Sequence, residues 1–83
     1  MRLTVKYFAS IREALGRGNE MVETGAATIG ALRDELIARG GPHAQSLARG
    51  KAVRAALDQV MRDEQAALAE GCEVAFFPPV TGG

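Results

Sequence analysis

Little in this sequence of 83 residues offers a ready reactive group. Its one cysteine, Cys72, excludes an internal disulfide and cannot alone build a Cys-based zinc site. Its one histidine, His43, falls in a different segment, and no third residue orients either of them, so a Cys–His nucleophile pair is not expected. No metal-ligand spacing and no phosphate-binding loop is present. An excess of charge is missing too: ten basic side chains balance ten acidic ones, and no basic cluster forms, which argues against nucleic acid as a partner. No apolar run approaches the ~20 residues needed to span a bilayer. Met1-Arg2-Leu3-Thr4-Val5 enters strand-like alternation without a signal-peptide pattern, so no membrane partner is expected and the cytoplasm is the expected compartment.

What is present suits one small domain. A hydrophobic content of 47% is that of a globular chain, and a chain of this length buries somewhat over ~60% of its extended surface, enough for one modest core. Leu3, Val5 and Tyr7 alternate with Thr4, Lys6 and Phe8, the period of a strand. Ser10 stands three residues before Glu13 as a capping box for a short helix that Gly16 and Gly18 end. Residues 20–24 read as a second strand. Thr28 is placed to cap a longer helix with Ile29, Leu32, Leu36 and Ile37 on one face, weakened slightly by Gly30 and stopped by Gly40-Gly41-Pro42. From Pro42 to Gly50 a helical turn or loop follows, anchored by Leu47. Cys72 to Phe77 reads as a buried strand that Pro78-Pro79 stops, with Cys72 a small buried or half-buried residue.

Residues 51–70 are ambiguous. Val53, Leu57, Val60, Met61 and Leu68 roughly trace a helical stripe, and the alanines favour helix, so periodicity reads helix. The competing reading is two short strands, near 52–57 and 60–62, turning at Asp58-Gln59.

Two stretches carry a family resemblance. "EGCEVAFFPPVTGG" at the end and "VKYFASIREALG" near the start resemble the small, sulfur-carrying subunits of molybdopterin synthase. The resemblance implies an α+β fold, the ubiquitin-like β-grasp, with a mixed sheet of about five strands on one main helix. It settles residues 51–70 as strand–turn–strand, and divides the chain into a domain over 1–77 and a flexible tail over 78–83. It also implies a chemistry. Gly83 becomes an acyl-adenylate at the expense of ATP on an E1-like adenylyltransferase. A persulfide donor converts it to a thiocarboxylate, and its sulfur goes to a cyclic pyranopterin precursor in molybdenum-cofactor biosynthesis. The carrier then binds no cofactor or metal, supplies no catalytic side chain, and docks on the large subunit in a heterotetramer.

The tail residues suit that role. Gly82 and Gly83, without Cβ, enter a narrow channel in any backbone conformation. Pro78 and Pro79 stiffen the base, and with Val80 and Thr81 the six residues reach roughly 20 Å when extended. Strand alternation turns Phe8 and Phe77 outward, where they share one face if the first and last strands are neighbours, and Met61 joins them as a docking patch. The alternative buries Phe8 under the first helix and Phe77 under a loop. Arg12 is suited to pair with a partner carboxylate near the tail base, or is a solvated surface arginine. Other recipients remain open: a thiamine or tRNA thiolation pathway, or lysines modified through Gly83 in the manner of ubiquitin.

Overall fold

The computed structural model describes residues 1–79. The elements run β1 (Arg2–Tyr7), α1 (Ala9–Leu15), β2 (Asn19–Glu23), α2 (Ile29–Ile37), α3 (Gly41–Ser46), β3 (Arg54–Leu57), β4 (Val60–Arg62) and β5 (Glu73–Phe77). They form one five-stranded sheet in the order β2-β1-β5-β3-β4. The two central strands β1 and β5 are parallel, in a register running from Thr4 opposite Glu73 to Tyr7 opposite Phe76. All other pairs are antiparallel. This is the mixed sheet of a ubiquitin-like β-grasp.

Alternation decides which side of the sheet is core. Leu3, Val5 and Tyr7 of β1 and Val74 and Phe76 of β5 are fully buried against Ile29, Leu32 and Leu36 of α2. Thr28 caps α2 as its sequence position suggests, its Oγ1 accepting from the Ala31 N–H at 3.2 Å. Leu47, just after α3, is fully buried and anchors that short helix to the core.

Three local expectations need correction. The Ser10 cap does not form: Phe8 holds the N-cap position in an extended conformation with no side-chain cap, and Ser10 lies inside the helix. The chain must reverse as soon as it leaves β1, and Ala9 does so at φ 52°, so the helix begins before Ser10. Gly30 is more than a weak spot in α2. Its N–H donates to the Glu64 carbonyl at 2.8 Å, and a Cβ there would meet that same oxygen at 3.2 Å. Glycine is what lets the segment after β4 cross the start of the helix this closely.

The helix read from the periodicity of residues 51–70 is also absent; β3 and β4 form a hairpin instead. Asp58 and Gln59 both have positive φ, 49° and 70°, as a two-residue type I′ turn requires and a helix forbids. Val60 and Met61, two members of the apparent helical stripe, are exposed. Asp58 ties the turn to β5: its N–H donates to the Glu73 carbonyl, and its Oδ1 accepts from the Glu73 N–H at 2.9 Å. β3 starts at Arg54, later than residue 52.

Candidate functional site

β5 is a central strand, hydrogen-bonded to β1 on one side and β3 on the other, and it runs directly into Pro78 and Pro79, both half-buried. The base of the tail therefore hangs on the most fixed strand of the sheet. The remaining tail positions, Val80, Thr81, Gly82 and Gly83, lie outside the described residues.

Phe8 and Phe77 stand at neighbouring backbone positions. They follow the Tyr7–Phe76 pair in parallel register, and the Phe8 N–H donates to the Phe76 carbonyl at 3.2 Å. Alternation puts both on the sheet face away from α2. Phe8 is 45% exposed and not packed under α1; Phe77 is half-buried and opposite Arg54. Met61, 56% exposed, pairs with Ala56, which pairs with Ala75 of β5. Ala56 and Ala75 make a low floor with Phe8 and Phe77 at one corner and Met61 at the edge. Lys6 and Glu73 bridge the central strands on the same face at 3.3 Å.

Arg12 is not gathered with the tail base. Its exposed guanidinium lies across Gly18, in a surface depression shared with Ala9, Glu13 and Arg17. The other side of α1 meets the tail base instead: Ser10, Ile11 and Ala14 face residues 51–53 across an open groove of about 440 Å³, and Pro78 and Pro79 line it as well.

Two polar networks escaped the sequence. Arg33, on α2, is 4% exposed; its Nε donates to the Leu47 carbonyl at 2.7 Å and its Nη2 to the carbonyls of Ala48, at 2.7 Å, and Lys51, at 3.2 Å. Its Nη1 meets Glu64 Oε2 at 2.7 Å. Arg49 adds ion pairs to Asp34 and Glu64. Burial opposes the charged form of Glu64, but its hydrogen bonds from Arg49 and Arg33 prevail and hold its carboxyl below the usual range. Arg33 stands in α2 beside Asp34 and Glu35, as a surface arginine would, and spacing alone does not reveal that residues 47–51 fold over it.

The second network centres on Glu20 of β2. Tyr7 Oη donates to Glu20 Oε2 at 2.7 Å, Arg39 Nη1 donates to Oε1 at 2.7 Å, and His43 Nε2 lies 3.0 Å from Oε2. Burial works against the Glu20 anion, yet these three hydrogen bonds outweigh it and bring its pKa to about 2. Burial, reinforced by the Glu20 carboxylate, pushes the Tyr7 phenol far above its ordinary value. Tyr7 is buried and already committed to Glu20, so this network pins β1, β2 and α3 together and presents no reacting group. Cys72 is buried and free.

Comparison with known proteins bears on what such a domain is for. The profile of the ThiS family matches residues 5–83. The chain belongs to the ThiS family. Among its relatives, the molybdopterin synthase sulfur carrier subunits of Haemophilus influenzae and Escherichia coli are each 40% identical over 81 residues, covering 98% of this chain and 99% of the relative. The crystal structure of small archaeal modifier protein 1 from Haloferax volcanii superposes with a TM-score of 0.75 at 26% identity, over 95% of this chain and 98% of that one. In this ThiS-family domain no helix of the described residues is long and apolar enough to cross a membrane. No group of three or more His, Cys, Asp or Glu among the described residues is placed to hold a metal ion.

Proposed function

We propose that this chain is the sulfur-carrier subunit of a molybdopterin synthase, loaded at Gly83 and docked through the exposed face around Phe8, Met61 and Phe77. The observation that carries the reading is the 40% identity, along nearly the whole chain, to two proteins of that name. The geometry is consistent with it: a firm domain, a proline base leaving a central strand, and an apolar patch beside that base.

A free carboxylate is a poor electrophile because it must expel an oxide ion. In this reading an oxygen of the Gly83 carboxylate attacks the α-phosphorus of ATP on an E1-like adenylyltransferase, and pyrophosphate leaves. The outer sulfur of a persulfide then displaces AMP from the carbonyl carbon, and a thiol reduces the resulting acyl disulfide to C(=O)–S⁻. Inserted into the large subunit, that sulfur attacks the cyclic pyranopterin precursor, and two carrier cycles complete the dithiolene. The domain contributes placement: Pro78 and Pro79 restrict the entry conformations, and the patch holds the carrier against the channel mouth. The carrier itself binds neither cofactor nor metal. The working assembly is a heterotetramer in the cytoplasm, two carriers on a dimer of large subunits.

The test is reconstitution. Thiocarboxylated protein, mixed with the large subunit and the precursor, yields dithiolene with consumption of the thiocarboxylate. Deletion of Gly83 abolishes the yield. Full turnover by the deleted chain overturns the proposal. A second reading, a modifier joined to lysines through Gly83, draws on the likeness to the archaeal modifier; it is favoured if Gly83 is recovered in isopeptide linkage. A carrier role in thiamine or tRNA thiolation is favoured if the sulfur reaches those products and not dithiolene.

A further inference from the structure

The exposed sheet face covers only one side of the tail base; the groove between α1 and residues 51–53 lies on the other. Pro78 and Pro79 line it and connect the two surfaces, so a partner that encloses the tail down to its base meets the groove as well. The groove is lined mostly by apolar residues, with Ile11 and Val53 below and Ala14 at the rim; Ser10 and Ser46 add hydroxyls, and one cation, Lys51, stands at its margin. Among the described residues Lys51 makes no ion pair. The wall carrying Lys51 is fixed beforehand: Arg33 holds the carbonyls of Leu47, Ala48 and Lys51 from inside the domain. A wall set before contact lowers the ordering cost of binding.

We infer that this groove is a second docking element for the large subunit, and that it receives an apolar side chain with a neighbouring carboxylate from the lip of the tail channel. The inference rests on the carrier reading above and extends it from one face of the domain to both sides of the tail. An apolar side chain fills the space over Ile11 and Val53, and the carboxylate pairs with Lys51 where the rim is desolvated. A basic lip would oppose Lys51 and a polar one would leave the floor wet, which gives the groove a specificity of its own.

The test uses the full-length chain and the purified large subunit in a titration followed by calorimetry. Ala14→Phe fills the groove from an exposed helix position, and Lys51→Glu reverses the rim charge without touching the core. Each variant is expected to bind about tenfold more weakly, which corresponds to about 1.4 kcal/mol, with the thermal midpoint unchanged. Wild-type affinity is expected to fall with added salt, and that dependence to shrink in Lys51→Met. Folded variants that bind as tightly as wild type, with the same salt dependence, overturn the groove while leaving the carrier reading in place. A wild-type chain that does not bind the large subunit at all overturns both.

Discussion

Replacing Arg33 with methionine is expected to be the most damaging single change away from the apolar core. The guanidinium is nearly sealed from water and serves four acceptors: the carbonyls of Leu47, Ala48 and Lys51 and the Glu64 carboxylate. Methionine fills much of the volume but leaves the three carbonyls without this donor and Glu64 with Arg49 as its remaining cationic partner. Removing one partner of a buried ion pair costs about 3–5 kcal/mol. Glu64 is 36% exposed on its side chain and recovers some hydration, which places the loss at the lower end, about 3 kcal/mol. That is a large share of the ~5–15 kcal/mol that holds a domain together, and for a chain of this size it lowers the thermal midpoint by roughly 12–24 °C. Urea unfolding followed by circular dichroism measures it. Arg33→Lys keeps the charge but not the planar fork, and is expected to recover less than half of the loss. A loss under about 1 kcal/mol for Arg33→Met would refute the account of this network.

Other outcomes follow from the same geometry. Glu20 has its carboxyl lowered from 4.5 to about 2 in the folded state, so its contribution is complete above pH 4.5 and is lost as pH falls from there toward 2. Urea melts across that window should show wild type declining by on the order of 3 kcal/mol more than Glu20→Gln. Gln59→Gly relieves a positive φ of 70° and should stabilise the β3–β4 hairpin by about 0.5–1 kcal/mol in thermal melts. Leu47→Ala, at a fully buried site, should cost about 2–5 kcal/mol in urea titrations and loosen α3, seen as faster amide exchange there. Phe77→Ala should keep the fold and weaken capture of both the large subunit and the activating enzyme, as read by surface-immobilised binding; unchanged affinity for both would remove the patch from the mechanism.

Much of the fold was legible because its signals are short-range. The alternation in Leu3-Thr4-Val5-Lys6-Tyr7 marks β1 and its buried face, and Thr28 followed by spaced apolar residues marks α2. Residues 51–70 resisted because alanine serves two purposes. Ala55 and Ala56 raise helix propensity, yet here they are strand residues whose backbones pair with β5 on one side and β4 on the other. The turn that decides the matter sits at Asp58-Gln59, without the glycine that usually announces it. Family resemblance settled what propensity misread. At the site, the neighbouring placement of Phe8 and Phe77 followed from pairing the end strands. The groove and the buried Arg33 did not, since both depend on residues 47–53 folding back over α2, a long-range event that no local pattern records.

The central claim is that the chain carries sulfur on Gly83, and intact mass spectrometry tests it most directly. The protein, left untagged at its C-terminus, is incubated with ATP, the activating enzyme and a persulfide donor. A species heavier by one sulfur-for-oxygen exchange is expected, and it disappears when Gly83 is deleted. A mass that stays at the free carboxylate, with Gly83 instead found linked to lysines of other proteins, would contradict it.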